Sequence, residues 1–364
     1  MKVLPLFKVG ISVALMSSAC LATLHAQGPS PNVTVFANGL NNPRGLKFGP
    51  DGYLYVAEAG AAGTMSTIGI CDQVVEPVGP YTGGYNSRIL KFDSMGNRTT
   101  VIEGLPSSQT SPAEGNLVSG VADVAFIGNT LYALTAGSGC SHGLAGTTNG
   151  VFKVNPNGTW TMIADLSAFQ KANPVAAPNP LDFEPDGTWY SMVAVRGVLY
   201  AVEPNHGELD AISPDGTIRR VADISATQGH IVPTAIAYHG NFYVGNLNTF
   251  PIVEGSSVIL KVTPSGKVAT VVTGVTTVLG VAFDRQGYMY ILENTTGNLF
   301  PTPGTGKVLR VTDSGLEEIA TGLFLPTAMT FGPDGALYVS NVGFGPPPVG
   351  LGQIVRITVP PVTE

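Results

Sequence analysis

PRGLKFGPDGYLYVAEAG, at residues 43–60, returns 283 residues later as PTAMTFGPDGALYVSNVG, at 326–343, with ten of eighteen positions identical. Each copy reads as a short apolar strand led in by proline, a tight Pro-Asp-Gly turn, and a second strand that carries a tyrosine. A variable loop follows. Then come a third strand of the RILKF type, a second glycine turn such as NPNGT or TPSGK, and a last strand such as ATVVTG.

The unit recurs between these two copies. The tyrosine of the second strand marks it at Tyr55, Tyr132, Tyr200, Tyr243, Tyr290 and Tyr338. The third strand marks it again as RILKF (88–92), GVFKV (150–154), ELDAI (208–212), VILKV (258–262), KVLRV (307–311) and QIVRI (353–357). Six four-stranded antiparallel units of roughly 45–50 residues are the signature of an all-β, six-bladed β-propeller. Glycine or proline interrupts nearly every ten residues, so helical repeats are excluded. The single helical candidate is LSAFQKANP at 166–174. The sixth unit ends without its fourth strand, whereas NVTVFANGL (32–40) resembles one. The N-terminal strand is therefore expected to complete the last blade and close the ring, leaving no open edge.

Residues 1–26 read as a signal peptide: Lys2 and Lys8, an apolar run, then Ala26 before Gln27. Export to the periplasm or medium is the expectation, with 27–364 forming one propeller domain. The apolar run is too short and interrupted for a membrane span. Cys20 after Ser-Ala hints at a lipidation site, although Ser17 stands where a large aliphatic belongs. Loss of Lys2 and Lys8 takes the formal net charge from −7 to −9. So acidic a chain releases few DNA counterions, which excludes nucleic acid as a partner. A monomer is expected. Only 12% of residues are charged, 44% are hydrophobic and 46 are glycine, which suits turn-rich β structure and not disorder.

The topology puts the Pro-Asp-Gly turns on one face and the loops between second and third strands on the other. The turn-face loops are tight. The opposite loops are long: 59–87, 136–149, 247–257, 294–306 and 342–352. Long loops on a rigid scaffold are where binding lives, so that face is expected to take a small molecule, a glycan or a protein. Cys71 and Cys140 fall in corresponding loops of adjacent blades, and a disulfide is allowed if their Cα atoms lie within about 7 Å.

The residue three past each marker tyrosine is Glu58, Thr135, Glu203, Asn246, Glu293 or Asn341. Ringing the channel mouth, Glu58, Glu203, Asn246, Glu293 and Asn341 offer the oxygens that Ca²⁺ or another divalent cation wants. The alternative is that they cap strand ends or hold water. Arg44, Thr234 and Thr327, at the start of inner strands, and Thr135 are candidate ligand contacts; Arg44 could instead pair with Glu58. Two histidines, His206 and His230, are expected on the long-loop face near Glu203, as an acid–base group or as ordinary loop residues. No Gly-x-Ser-x-Gly elbow, P-loop or His-Glu-x-x-His occurs.

NPRGLKFGPDGYLYVAEAG, VPTAIAYHGNFYVGNLNTFPI, TTVLGVAFDRQGYMYILEN and LPTAMTFGPDGALYVSNVG together resemble the ScyD/ScyE family of secreted bacterial propellers, named from genes linked to scytonemin biosynthesis. The resemblance covers essentially the whole mature chain and implies an exported six-bladed propeller, with no established reaction. More distantly the pattern is similar to NHL-repeat proteins, streptogramin lyases, and the gluconolactonase and calcium-dependent phosphotriesterase group. The last group implies a channel cation held by Glu, Asn and Asp, and hence a cation-dependent hydrolase or lyase as the alternative to a binding module. Quinone-dependent sugar dehydrogenation fits less well, because an anionic cofactor would meet one rim arginine.

Overall fold

The repeated turn explains its own tyrosine. Gly52 (φ 80°) and Gly335 (φ 78°) supply the left-handed residue that closes each Pro-Asp-Gly turn. The turn aspartate then accepts a hydrogen bond from the tyrosine of the following strand, Tyr55 to Asp51 at 2.9 Å and Tyr338 to Asp334 at 3.2 Å. Blade five does the same with Tyr290 and Asp284 at 3.2 Å. The motif thus locks turn and strand together.

The computed structural model describes residues 28–297, 299–343 and 350–362. The signal-peptide reading, Cys20 and most of loop 342–352 lie outside the described residues. Six antiparallel sheets, five of four strands and one that adds a short fifth, form a six-bladed β-propeller. In chain order the inner strands are Pro43–Phe48, Val121–Ile127, Ser191–Val195, Pro233–His239, Val278–Phe283 and Ala328–Phe331. Each packs on the next, and the sixth packs on the first. Val33–Leu40 runs antiparallel to Gly352–Ile357, with Val33 opposite Ile357 and Leu40 opposite Gly352, and so lies at the outside of the last sheet.

The core sits between blades. Trp189, Met192 and Leu199 of blade three pack on Leu134, Val151 and Ala164 of blade two. Small residues permit this closeness: a Cβ on Gly45 would meet the Asp123 carboxylate at 1.9 Å. Asp123 in turn accepts the Met192 N–H at 2.8 Å, tying blade two to blade three.

Three features depart from the sequence reading. Blade one carries longer outer strands, Thr82–Phe92 and Arg98–Gln109, and a fifth short strand, Val118–Ser119. They rise together because the inserted loop needs a hydrogen-bonded wall. The expected helix forms at Leu166–Ala172, its Asp165 cap accepting the Ala168 N–H at 2.8 Å. Two further turns appear, Ser225–Gln228 and the 3₁₀ turn Cys140–His142. At the start of the first, Asp223 accepts the Ala226 N–H at 3.0 Å. Among the described residues no helix is long and apolar enough to cross a membrane.

Candidate functional site

Each of the five residues read as a metal ring accepts a backbone N–H of the chain. Glu58 accepts the backbone N–H of Asn41 and is paired with Arg88 on the neighbouring strand. Glu293 accepts the Thr276 N–H at 2.6 Å, with Lys307 Nζ 3.6 Å from its second oxygen. Asn341 accepts the Phe324 N–H at 2.7 Å. Glu203 accepts the N–H groups of Thr188 at 2.9 Å and His206 at 2.6 Å. Asn246 accepts the Val258 N–H at 2.7 Å and donates to the Ile231 carbonyl at 2.9 Å. Among the described residues no group of three or more His, Cys, Asp or Glu is placed to hold a metal ion.

These contacts have a common purpose. The residue just before three inner strands has a left-handed backbone, Asn42 (φ 53°), Val232 (φ 56°) and Thr277 (φ 42°), as does Leu325 (φ 46°), three residues before the sixth. Such a conformation costs about 1–3 kcal/mol for a non-glycine residue and persists where its surroundings hold it. The clasping side chain grips the peptide immediately before it, at Asn41, Ile231, Thr276 and Phe324. Glu58, Glu293 and Asn341 supply an oxygen for that grip, and Asn246 supplies its amide N–H.

The threonines are likewise engaged. Thr327 Oγ1 donates to the Pro43 carbonyl at 2.7 Å, and Thr234 Oγ1 to the Val278 carbonyl at 2.5 Å, each bridging to the next blade. Thr135 Oγ1 accepts the Gly150 N–H at 2.9 Å. Arg44 does not take Glu58, whose partner is Arg88. It donates to the Val118 carbonyl and to Tyr190 Oη, the latter at 3.4 Å.

A cavity of about 470 Å³ opens on the long-loop face. Its wall comes from the blade-one insertion (Pro77, Tyr81, Glu114), the 179–190 segment before blade three, and the blade-four loop to Phe250. Arg44, Thr234 and Tyr190 line it as well. Tyr190 reaches from blade three to blade six, on the opposite side of the ring, where its hydroxyl meets the Thr327 carbonyl at 3.3 Å. The channel is bridged there, at the cavity that forms the cup.

The cup's acids are Glu114, Asp182 and Glu184. Burial pushes the Glu184 carboxyl up to about 8; a bond from Tyr81 opposes this, and the charges of Asp182, Glu203 and Asp186 reinforce it. Tyr81 Oη donates to Glu184 Oε1 at 2.7 Å, and Thr188 donates to Oε2. His142 lies 3.4 Å from that oxygen, but burial lowers the imidazole to about 4, so it stays neutral. Burial also raises Glu114, with help from Asp182. Asp182 accepts from Asn205 Nδ2 at 3.1 Å and pairs with His230 Nε2 at 2.7 Å.

The two histidines do not share Glu203. His230 belongs to Asp182. His206 is buried, its Nδ1 3.4 Å from Glu203 and its ring edge-on to Phe183 at 4.8 Å. Burial opposes its charge, yet the Glu203 carboxylate outweighs that and raises it. Cys71 and Cys140 are joined in a disulfide with Cα atoms 6.3 Å apart, stapling the insertions of blades one and two. Sequence reasoning missed Asp182, Glu184, Tyr81, Tyr190 and Glu114. One signal was present: LDFEPDGTWYSMVAVRG (181–197) is longer than the lead-in to other blades.

The chain matches no protein-family model and no curated protein sequence. Solved structures similar to it are six-bladed propellers. A Thermus thermophilus protein described as a putative oxidoreductase (glucose dehydrogenase) aligns with TM-score 0.54 at 18% identity, over 90% of this chain and 99% of that one. A Xanthomonas campestris gluconolactonase gives 0.52 at 10%, over 90% and 89%. A streptogramin B lyase gives 0.50 at 14%, over 90% and 97%. At these identities the likeness is one of fold: the chain is a six-bladed propeller of the architecture that these three proteins share.

Proposed function

We propose that this is an exported propeller of ScyD/ScyE type that binds a small organic molecule in the cup on its long-loop face. The observation that supports this best is the cup itself. Its volume lies in the range of small-molecule sites, about 300–1,000 Å³, and a few polar groups converge in a largely apolar wall. The clasping contacts of Glu58, Glu293 and Asn341 leave those side chains occupied in holding the scaffold. The Cys71–Cys140 disulfide accords with an oxidising compartment.

The test is a thermal-shift screen of a small-molecule library on the mature chain and on Thr249→Trp. Thr249 is an exposed wall residue, and tryptophan there would fill the mouth. Molecules that stabilise the parent and not the variant support the reading. A screen whose stabilising molecules act equally on both contradicts it.

A second reading is enzymatic. The Asp182–His230 pair at 2.7 Å could move a proton beside the cup, with neutral Glu184 as acid. Lactone or ester turnover by the parent that falls at least about a hundredfold in His230→Gln supports it. Turnover unchanged in that variant ends it.

A further inference from the structure

Five buried carboxyls elsewhere in this protein are set against a base of the chain, whereas Asp123 and Asp210 are held by N–H donors. Glu58 has Arg88, Glu208 has Arg220, Glu293 has Lys307, Asp186 has Lys171 and Glu203 has His206. In the cup, among the described residues, no lysine or arginine is ion-paired with Glu114, Asp182 or Glu184. The base nearest Glu184 is His142, which burial keeps neutral. Glu114 has no basic partner among the described residues, and Asp182 shares only His230. Four aromatic rings, Tyr81, Trp189, Tyr190 and Phe250, line the same space.

We propose that the cup is built for an organic cation, an ammonium or amidinium on an apolar body, seated between Glu114, Asp182 and Glu184 and the aromatic wall. The proposal rests on the reading of the cup as a small-molecule site and names the class of ligand. The acids are not clustered closely enough for one metal ion. A larger cation, its charge spread over several atoms, can span them and take the faces of the rings as well. The net charge of the chain agrees: a protein of formal charge −7 steers cations toward a cleft lined with carboxyls.

Proton linkage follows. The groups facing Glu184 are Tyr81 and Glu114 from the blade-one insertion, His142 from the blade-two loop, and Asp182, Asp186 and Thr188 from its own segment, with Glu203 behind and Lys171 on Asp186. Arg44 also lines the cup, its guanidinium held by the Val118 carbonyl and over the Tyr190 ring, and no lysine or arginine is ion-paired with Glu184 among the described residues. An arriving cation supplies a positive charge there, favouring loss of the Glu184 proton, so its affinity rises with pH up to about 8.

The probe is benzyltrimethylammonium, titrated by NMR against the full mature chain beside benzyl alcohol and benzoate. The expected result is one-site binding of the cation, tightening from pH 6 to pH 8.5, with the other two at least about tenfold weaker. Glu114→Gln, on the inserted loop of blade one, and Asp182→Asn should each weaken the cation several-fold. Cation binding indifferent to both variants would overturn the proposal. Benzyl alcohol or benzoate binding equally well in the cup would overturn the cation preference yet leave the small-molecule site standing. Failure of all three probes would count against both.

Discussion

The Glu184 carboxyl would lose its proton near 4.5 in the unfolded chain, whereas burial holds it to about 8 in the fold. Between those values the folded state binds more protons, so stability falls as pH rises from 4.5 to 8 and is level above. Glu184→Gln keeps the shape and the acceptor for Tyr81 without the charge. Urea melts should show the variant equal to the parent at pH 4 and more stable by about 1–3 kcal/mol at pH 8.5. Equal stability at both pH values would mean that the carboxyl is solvated. This residue was hard to read from sequence. The EPDG at 184–187 matches the blade turn, yet the turn of blade three is made by Arg196 and Gly197. What gives Glu184 its character is Tyr81, 103 positions away, and no local pattern announces such a contact.

The clasp at the foot of each inner strand shows how one periodicity supports two readings. Glu58, Glu203, Asn246, Glu293 and Asn341 were legible as a repeating set, and their residue types suit a hard cation as well as a peptide N–H. In the structure each of these side chains accepts a backbone N–H. Asn341→Ala orphans the Phe324 N–H and is expected to cost about 1–3 kcal/mol in a denaturant melt. Glu293→Gln retains the acceptor for Thr276 and should cost much less than Glu293→Ala. Because these oxygens are already engaged by the protein, melts in Ca²⁺ and in chelator are expected to superimpose. A chelator-induced drop of several degrees would restore the cation reading. The disulfide works at the same scale. It closes a loop of 69 residues, and by chain entropy its reduction should destabilise by up to about 4 kcal/mol, loosening first the two insertions that wall the cup.

Around the ring, the order of blades was readable because every unit repeats the same turn chemistry, and PRGLKFGPDGYLYVAEAG and PTAMTFGPDGALYVSNVG lie in blades whose inner strands touch. The choice of face was readable too, since loop length separates the two ends of the channel. The cup was not, because it is assembled from the loops of blades one to four, whose lengths and compositions share nothing. A tyrosine bridges the ring from blade three to blade six, and the long loops raise a wall on one face of it. The most direct measurement is hydrogen–deuterium exchange of the mature chain with and without the strongest stabilising molecule from the screen. Protection is expected in 77–81, 110–120, 179–190 and 247–250, the segments that form the cup. Protection confined to the tight turns at 49–52 and 332–335, or spread evenly over the blades, would contradict a binding site on the long-loop face.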